Sequence, residues 1–240
     1  METINFADTA VGELVRQRPA RSRVFERFGV DYCCGGKITL NRACLKKQID
    51  VEDVCKELAQ CEEDLERDQG IVDADSMTLT ELADHIENTH HAYLRAELPR
   101  LEWMTEKVAR VHGDHDPRLH DLRRAFVAFR AEVEPHTLKE DNVLFPIIRQ
   151  LEASDGPQEF HCGSVANPIR QMELEHDDVG EQLALMHAAS DGYTPPEWAC
   201  NTYRAMLSSL AELERDMHQH IHKENNVLFP KAIELESKRA

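Results

Sequence analysis

The chain has 240 residues with a formal charge of −17, long enough for one sizeable domain with a small appendage. That charge excludes nucleic acid or an anionic membrane as principal partner, because phosphate binding demands basic surface. It suits a soluble protein that handles cations. No apolar run approaches the roughly 20 residues of a membrane span, and the first residues lack the basic and apolar regions of a signal peptide. Seven Cys without framework spacing fit reduced thiols, so a cytoplasmic protein is expected.

Residues 1–66 read as a small helical domain. Helices are predicted over Val11–Arg18 and Ala20–Phe28, the second ended by Gly29, then from a Thr39 cap through Gln48 and from Asp50 to about Glu66. Their apolar positions, Val11, Leu14, Val15, Val24, Phe25, Phe28, Leu45, Val54 and Leu58, recur at helical spacing and can form a small core. An apolar stripe left exposed there could support a homodimer. Polar residues 67–79 read as a linker.

Four long helical segments fill 80–240. The first runs from Thr80 to Val111 and carries Pro99, where a kink is expected. The second runs from Asp116-Pro117 to Leu151 and the third from Asn167-Pro168 to Ala189. The last runs from Thr194-Pro195 to about Leu235. Three of these starts place a capping residue before Pro, a favoured helix opening. The expected fold class is all-α, a four-helix bundle preceded by a small helical domain.

The bundle contains one motif twice. His136 to Pro146 and His220 to Pro230 each place a His four residues before a Glu and end in Val-Leu-Phe-Pro. Positions i and i+4 share a helix face, so imidazole and carboxylate converge. About 45 residues upstream of each stands a further His: His91, with His90 as a competitor one position away, and His176. Two matching sets result, His91, His136, Glu140 and His176, His220, Glu224. Six such groups in a core demand compensation, since buried unpaired carboxylates are very costly. Two metal ions, each with two His and both Glu bridging, supply it. The donors favour iron, manganese or zinc over calcium and magnesium. Iron is the first choice and manganese the second. The bland alternative leaves these groups on solvated faces, where most of the remaining His are expected.

The duplicated His-x-x-x-Glu helices ending in Leu-Phe-Pro, with Glu175-His176-Asp177, resemble the hemerythrin-like four-helix bundle. The turn Asp31-Tyr32-Cys33-Cys34-Gly35-Gly36-Lys37 is similar to the signature of bacterial iron–sulfur cluster repair proteins, the Repair of Iron Centers family. The resemblance covers nearly the whole chain. It implies metal ligands at His91, His136, Glu140, His176, His220 and Glu224, choosing His91 over His90, and a non-haem, carboxylate- and oxo-bridged pair of iron ions. It also implies a stress protein that restores clusters damaged by nitric oxide or oxidants. Oxygen carriers of the hemerythrin type use five His and an Asp in the last motif. Glu224 stands there instead, which weakens an oxygen-carrier reading.

Cys33 and Cys34 are expected on a flexible, exposed turn, with Lys37 and the following helix N-terminus favouring thiolate. There they can pass iron, accept a nitrosyl group or exchange with a partner. Glu175 and Asp177 are candidates for supporting the ligand between them. The competing function is a hemerythrin-like oxygen or redox sensor.

Overall fold

A computed structural model describes residues 5–63 and 72–239, and no strand occurs among them. The expected end of the fourth helix at Glu66 and the first part of the linker lie outside the described residues.

The small N-terminal unit comprises α1 (Val11–Gln17), α2 (Ser22–Phe28), α3 (Leu40–Lys47) and α4 (Val51–Glu63). Gly29 closes α2 in the left-handed region at φ 64°, and the Thr39 side chain accepts the Arg42 N–H at the start of α3. Leu14, Val24, Phe25, Leu40, Val54 and Leu58 form its core. Leu45 does not join them. It is 77% exposed, because α3 turns Leu40, Ala43 and Cys44 inward and leaves the next position facing solvent. The second half of the expected linker is structured. Ala74–Ser76 form a 3₁₀ turn, and Asp75 reaches Arg16 of α1 at 2.9 Å and Lys231 of the last helix at 3.5 Å.

Four rods build the bundle. The first joins α5 (Leu79–Ile86) to α6 (Ala92–His112), and the second joins α7 (Arg118–Lys139) to α8 (Phe145–Ala153). The third is α9 (Ala166–Ala189), and the fourth joins α10 (Asn201–Lys223) to α11 (Phe229–Arg239). A capping box of Thr78 and Glu81 opens the first rod. Helix α6 continues through Pro99. The fourth helix starts later than the sequence predicts, at Asn201. Thr194 and Pro195 each precede a proline and are thereby pushed out of the helical region.

Three rods are interrupted by a single π turn: Glu87–His91, Glu140–Leu144 and Glu224–Leu228. Their wide bonds run from Ala92 N–H to the Glu87 carbonyl, from Phe145 to Glu140 and from Phe229 to Glu224. In the two repeated motifs the next residue is Pro146 or Pro230, which cannot donate to a helical bond and whose ring collides with the carbonyl four residues back. Inserting one residue just before the ring relieves that conflict. Such π insertions concentrate at functional sites because they re-aim side chains.

The core of the bundle has two apolar parts. Leu94, Leu101, Phe126, Phe129, Leu183 and Ile221 belong to one, and Leu82, Ile86, Phe145, Ile148, Leu228 and Phe229 to the other. The π turns fall where the two parts meet.

Candidate metal centre

All six predicted ligands converge at that junction. His91, Glu140, His220 and Glu224 form one group with ligand atoms within 4.8 Å of one another, and His136, Glu140, His176 and Glu224 form a second. Each carboxylate belongs to both. His91, Glu140, His176, His220 and Glu224 have no exposed surface, and His136 has 1%. Every imidazole presents Nε2 to the centre. His91 and His136 stand 3.4 and 3.3 Å from Glu140, and His176 and His220 stand 3.1 and 3.0 Å from Glu224. The Phe rings of the repeated tails lie parallel against the neighbouring rod's imidazole, Phe145 on His91 and Phe229 on His176.

The outward nitrogens are held from behind. His91 Nδ1 meets Asp141 at 2.7 Å, His136 Nδ1 meets Glu175 at 2.9 Å and His176 Nδ1 meets Asn225 at 2.9 Å. Each acceptor fixes the Nδ1–H tautomer and turns the Nε2 lone pair inward. Glu175 thus takes the supporting role expected of it, through His136 rather than its neighbour His176. Asp177 is exposed and takes no such part. His220 Nδ1 has no partner among the described residues.

The donor set fits a pair of cations. Both oxygens of Glu140 and one of Glu224 are buried without a hydrogen bond, an arrangement too costly to persist without a positive charge between them. Protonation shows the same demand. Burial opposes a charge on His91, but Asp141 and Glu140 outweigh it and raise its pKa to about 10. Burial likewise opposes His136, yet Glu140 and the other nearby carboxylates raise it to about 9. Glu140 is held below the usual carboxylate range: burial and Glu224 push it up, and His136 and His91 push it further down. Protons and metal ions compete for the same lone pairs, so an ion bound here would displace the protons that these imidazoles hold.

Of the other imidazoles, expected mostly on solvated faces, His90 and His222 are the buried exceptions, at 2% and 6% exposed. Beside the six-group cluster, Asp216 accepts from His90 Nδ1 at 2.8 Å, and Lys223 Nζ meets His90 Nε2 at 2.7 Å and His85 Nε2 at 3.1 Å. These groups line a cavity of about 360 Å³ between the small unit and the bundle. Nothing in the sequence pattern separates them from ligands, since His90 and Lys223 each sit one residue from one.

The cysteine turn also departs from expectation. Cys33 is 4% exposed and belongs to the bundle core, in the same apolar part as Leu94 and Val179, and Cys34 Sγ lies 3.5 Å from the His176 carbonyl. The Asp31 carboxylate accepts the N–H groups of Cys33, Cys34 and Gly35. The Cys34 contact, burial and Asp31 raise the Cys33 pKa well above that of an ordinary thiol, against the expected thiolate. Lys37 is turned away to Glu173 at 2.7 Å. The turn is a docked wedge because Asn226, in the last π turn, donates to the Tyr32 and Cys33 carbonyls at 3.4 and 3.2 Å. Gly12 and Gly36 leave room for it: a Cβ on Gly12 would sit 2.2 Å from Asn226 Oδ1, and one on Gly36 2.9 Å.

A bundle with this inward ring of imidazoles and carboxylates defines a hemerythrin-type cation-binding protein. Residues 82–232 match the Hemerythrin HHE cation binding domain, and residues 7–62 match a Domain of Unknown function, DUF542. The chain belongs to the hemerythrin HHE family and, within it, to the iron–sulfur cluster repair proteins that share both parts. It is 40% identical to the iron-sulfur cluster repair protein YtfE of Enterobacter sp. (strain 638), over 95% of this chain and 98% of the relative. It is 38% identical to the proteins of that name from Citrobacter koseri, over 96% and 99%, and from Escherichia coli O157:H7, over 95% and 98%. No helix among the described residues is long and apolar enough to cross a membrane.

Proposed function

We propose that this protein repairs iron–sulfur clusters damaged by nitrosative or oxidative stress, using two non-haem iron ions that Glu140 and Glu224 would share. His91 and His220 would hold one and His136 and His176 the other. The observation that carries this reading is the pair of buried carboxylates with orphaned oxygens inside four imidazoles, in a chain whose relatives bear the repair name. When bound, such ions supply redox-active iron with positions open to nitric oxide or oxygen, and iron available for transfer. The chain's own part is to orient and to exclude water. Asp141, Glu175 and Asn225 hold three ligand tautomers, and the two apolar core parts seal the centre. Manganese is the competing metal, since it accepts the same donors.

The chain is read as two units, 1–66 and 80–240, with 67–79 between them, working in the cytoplasm on proteins with damaged clusters. Cys33 and Cys34 are assigned a thiol role beside His176. Metal analysis of anaerobically purified protein is expected to give two iron ions per chain. The ferrous protein, incubated with a cluster-depleted dehydratase, is expected to restore its activity. Failure to do so, together with reversible oxygen binding, points instead to a hemerythrin-like sensor. Repair at an unchanged rate after Cys33→Ser and Cys34→Ser removes the thiols from the reaction.

A further inference from the structure

The duplicated halves are related position by position, and one departure from that symmetry lies directly behind the imidazoles. Lys139, Glu140 and Asp141 correspond to Lys223, Glu224 and Asn225, and Glu175, before His176, corresponds to His90, before His91. Asp141 and Asn225 each accept from the imidazole of the preceding rod, a carboxylate behind His91 and an amide behind His176, so each half has one carboxylate-backed imidazole and the difference lies in the other. In one half, Lys139 Nζ binds Glu175 at 2.6 Å, and Glu175 accepts from His136 Nδ1. In the other half, Lys223 Nζ binds His90 at 2.7 Å. There His90 lies parallel to His220, with ring centroids 5.3 Å apart, and offers its Nδ1 no acceptor. Among the described residues, His220 is thus the one imidazole of the four whose outward nitrogen lacks a partner, its Nδ1 being buried. The carboxylate that backs His136 is replaced by a ring, behind which stands an ammonium with no carboxylate partner among the described residues.

We propose that the two halves of the centre are unequal, and that the His91–His220 half holds its ion more weakly than the His136–His176 half and yields it first. Residue 90 sets the difference: an imidazole there withholds the acceptor that Glu175 provides to His136. A hydrogen-bonded carboxylate behind a ligating imidazole raises its basicity and fixes its orientation, and losing such a partner costs about 10- to 100-fold in metal affinity. Lys223 adds to the effect, since its charge disfavours a cation nearby. The inference rests on the reading that the centre binds two ions, and it names the one available for donation.

The test is release of iron from the ferrous protein to a ferrous-iron chelator, followed under anaerobic conditions. Crystals of partly chelated protein then report iron occupancy at each position by anomalous scattering. Two phases at least about tenfold apart are expected, with occupancy lost first between His91 and His220. His90→Glu supplies the missing acceptor and is expected to slow only the fast phase. Glu175→His copies the weak half onto the strong one and is expected to speed only the slow phase. The circular dichroism spectrum of each variant checks that the bundle is intact. Equal depletion of both positions, or first loss between His136 and His176, overturns the inference. So does a His90→Glu protein that folds and releases iron as before. Uptake of fewer than two ions overturns the function proposed above instead, and ordered release without repair of the dehydratase overturns donation while leaving the inequality intact.

Discussion

Two polar assemblies lie side by side in this bundle, sharing its first and fourth rods one residue out of step. His91 and Glu224 belong to one, His90 and Lys223 to the other. In the second, Asp216, His90, Lys223 and His85 form a chain of donors and acceptors, so that of the side-chain atoms in that chain only one Asp216 oxygen is left unpartnered. In the first, four imidazoles crowd two carboxylates, and three carboxylate oxygens are left over. Burial and residue type alone therefore do not mark a metal centre. The mark is a set of groups that cannot satisfy one another and share the same deficit of positive charge.

The contrast breaks most visibly on removing one of the six converging groups. Glu224→Ala is expected to lower bound iron from two to at most one ion per chain by metal analysis. Chelation of the unmodified protein is expected to lower its unfolding temperature sharply, because each ion present at 1,000 times its dissociation constant contributes about 4 kcal/mol. Asp216→Ala, in the self-satisfied assembly, leaves iron content at two.

The metal-free protein sharpens the contrast through pH. His91 and His136 have pKa values raised from 6.5 to about 10 and about 9. Their contribution to stability is fully present below pH 6.5 and is lost as pH rises through 9 to 10. His90 and His222 are lowered from 6.5 to about 4, mainly by burial. For them the unfolded chain takes up protons that the folded chain refuses, so stability falls as pH drops from 6.5 toward 4. Urea unfolding across pH is expected to show both losses, and imidazole resonances to titrate in opposite directions from 6.5. Four superimposed titrations near 6.5 would falsify the assignment.

Smaller effects test the supports. Asp216→Ala strips His90 of its acceptor and is expected to cost about 1–3 kcal/mol in urea unfolding. Gly12→Ala forces Asn226 away from the cysteine turn, at about 1–3 kcal/mol for overpacking. Its more specific readout is faster labelling of Cys33 by a thiol reagent, and an unchanged labelling rate would show that the wedge does not depend on this contact.

The helices, their order and the convergence of six side chains on one point were legible in the sequence because each depends on local periodicity or on duplication. Thr39, Gly29 and the His-x-x-x-Glu pairs act within one or two turns of the chain, and the matching copies supplied the missing partners at His91 and His176. The later start of α10 was missed, although its signal, Pro195-Pro196, acts locally on the residues before each proline.

The π turns, the wedge of Cys33 into the bundle and the division of labour between His90 and His91 were decided by tertiary structure. An extra residue in a helical turn leaves no period to read. Asn142 and Asn226 occupy the same place in the two copies, yet Asn142 bonds its own helix at the Leu138 carbonyl and Asn226 crosses to the N-terminal unit. Only packing distinguishes them, because a side chain's partner is whatever the fold brings within reach. For the same reason the sequence by itself determined that this chain gathers four imidazoles and two carboxylates, and the fold alone decided that one of them, His220, finds no partner for its Nδ1 among the described residues.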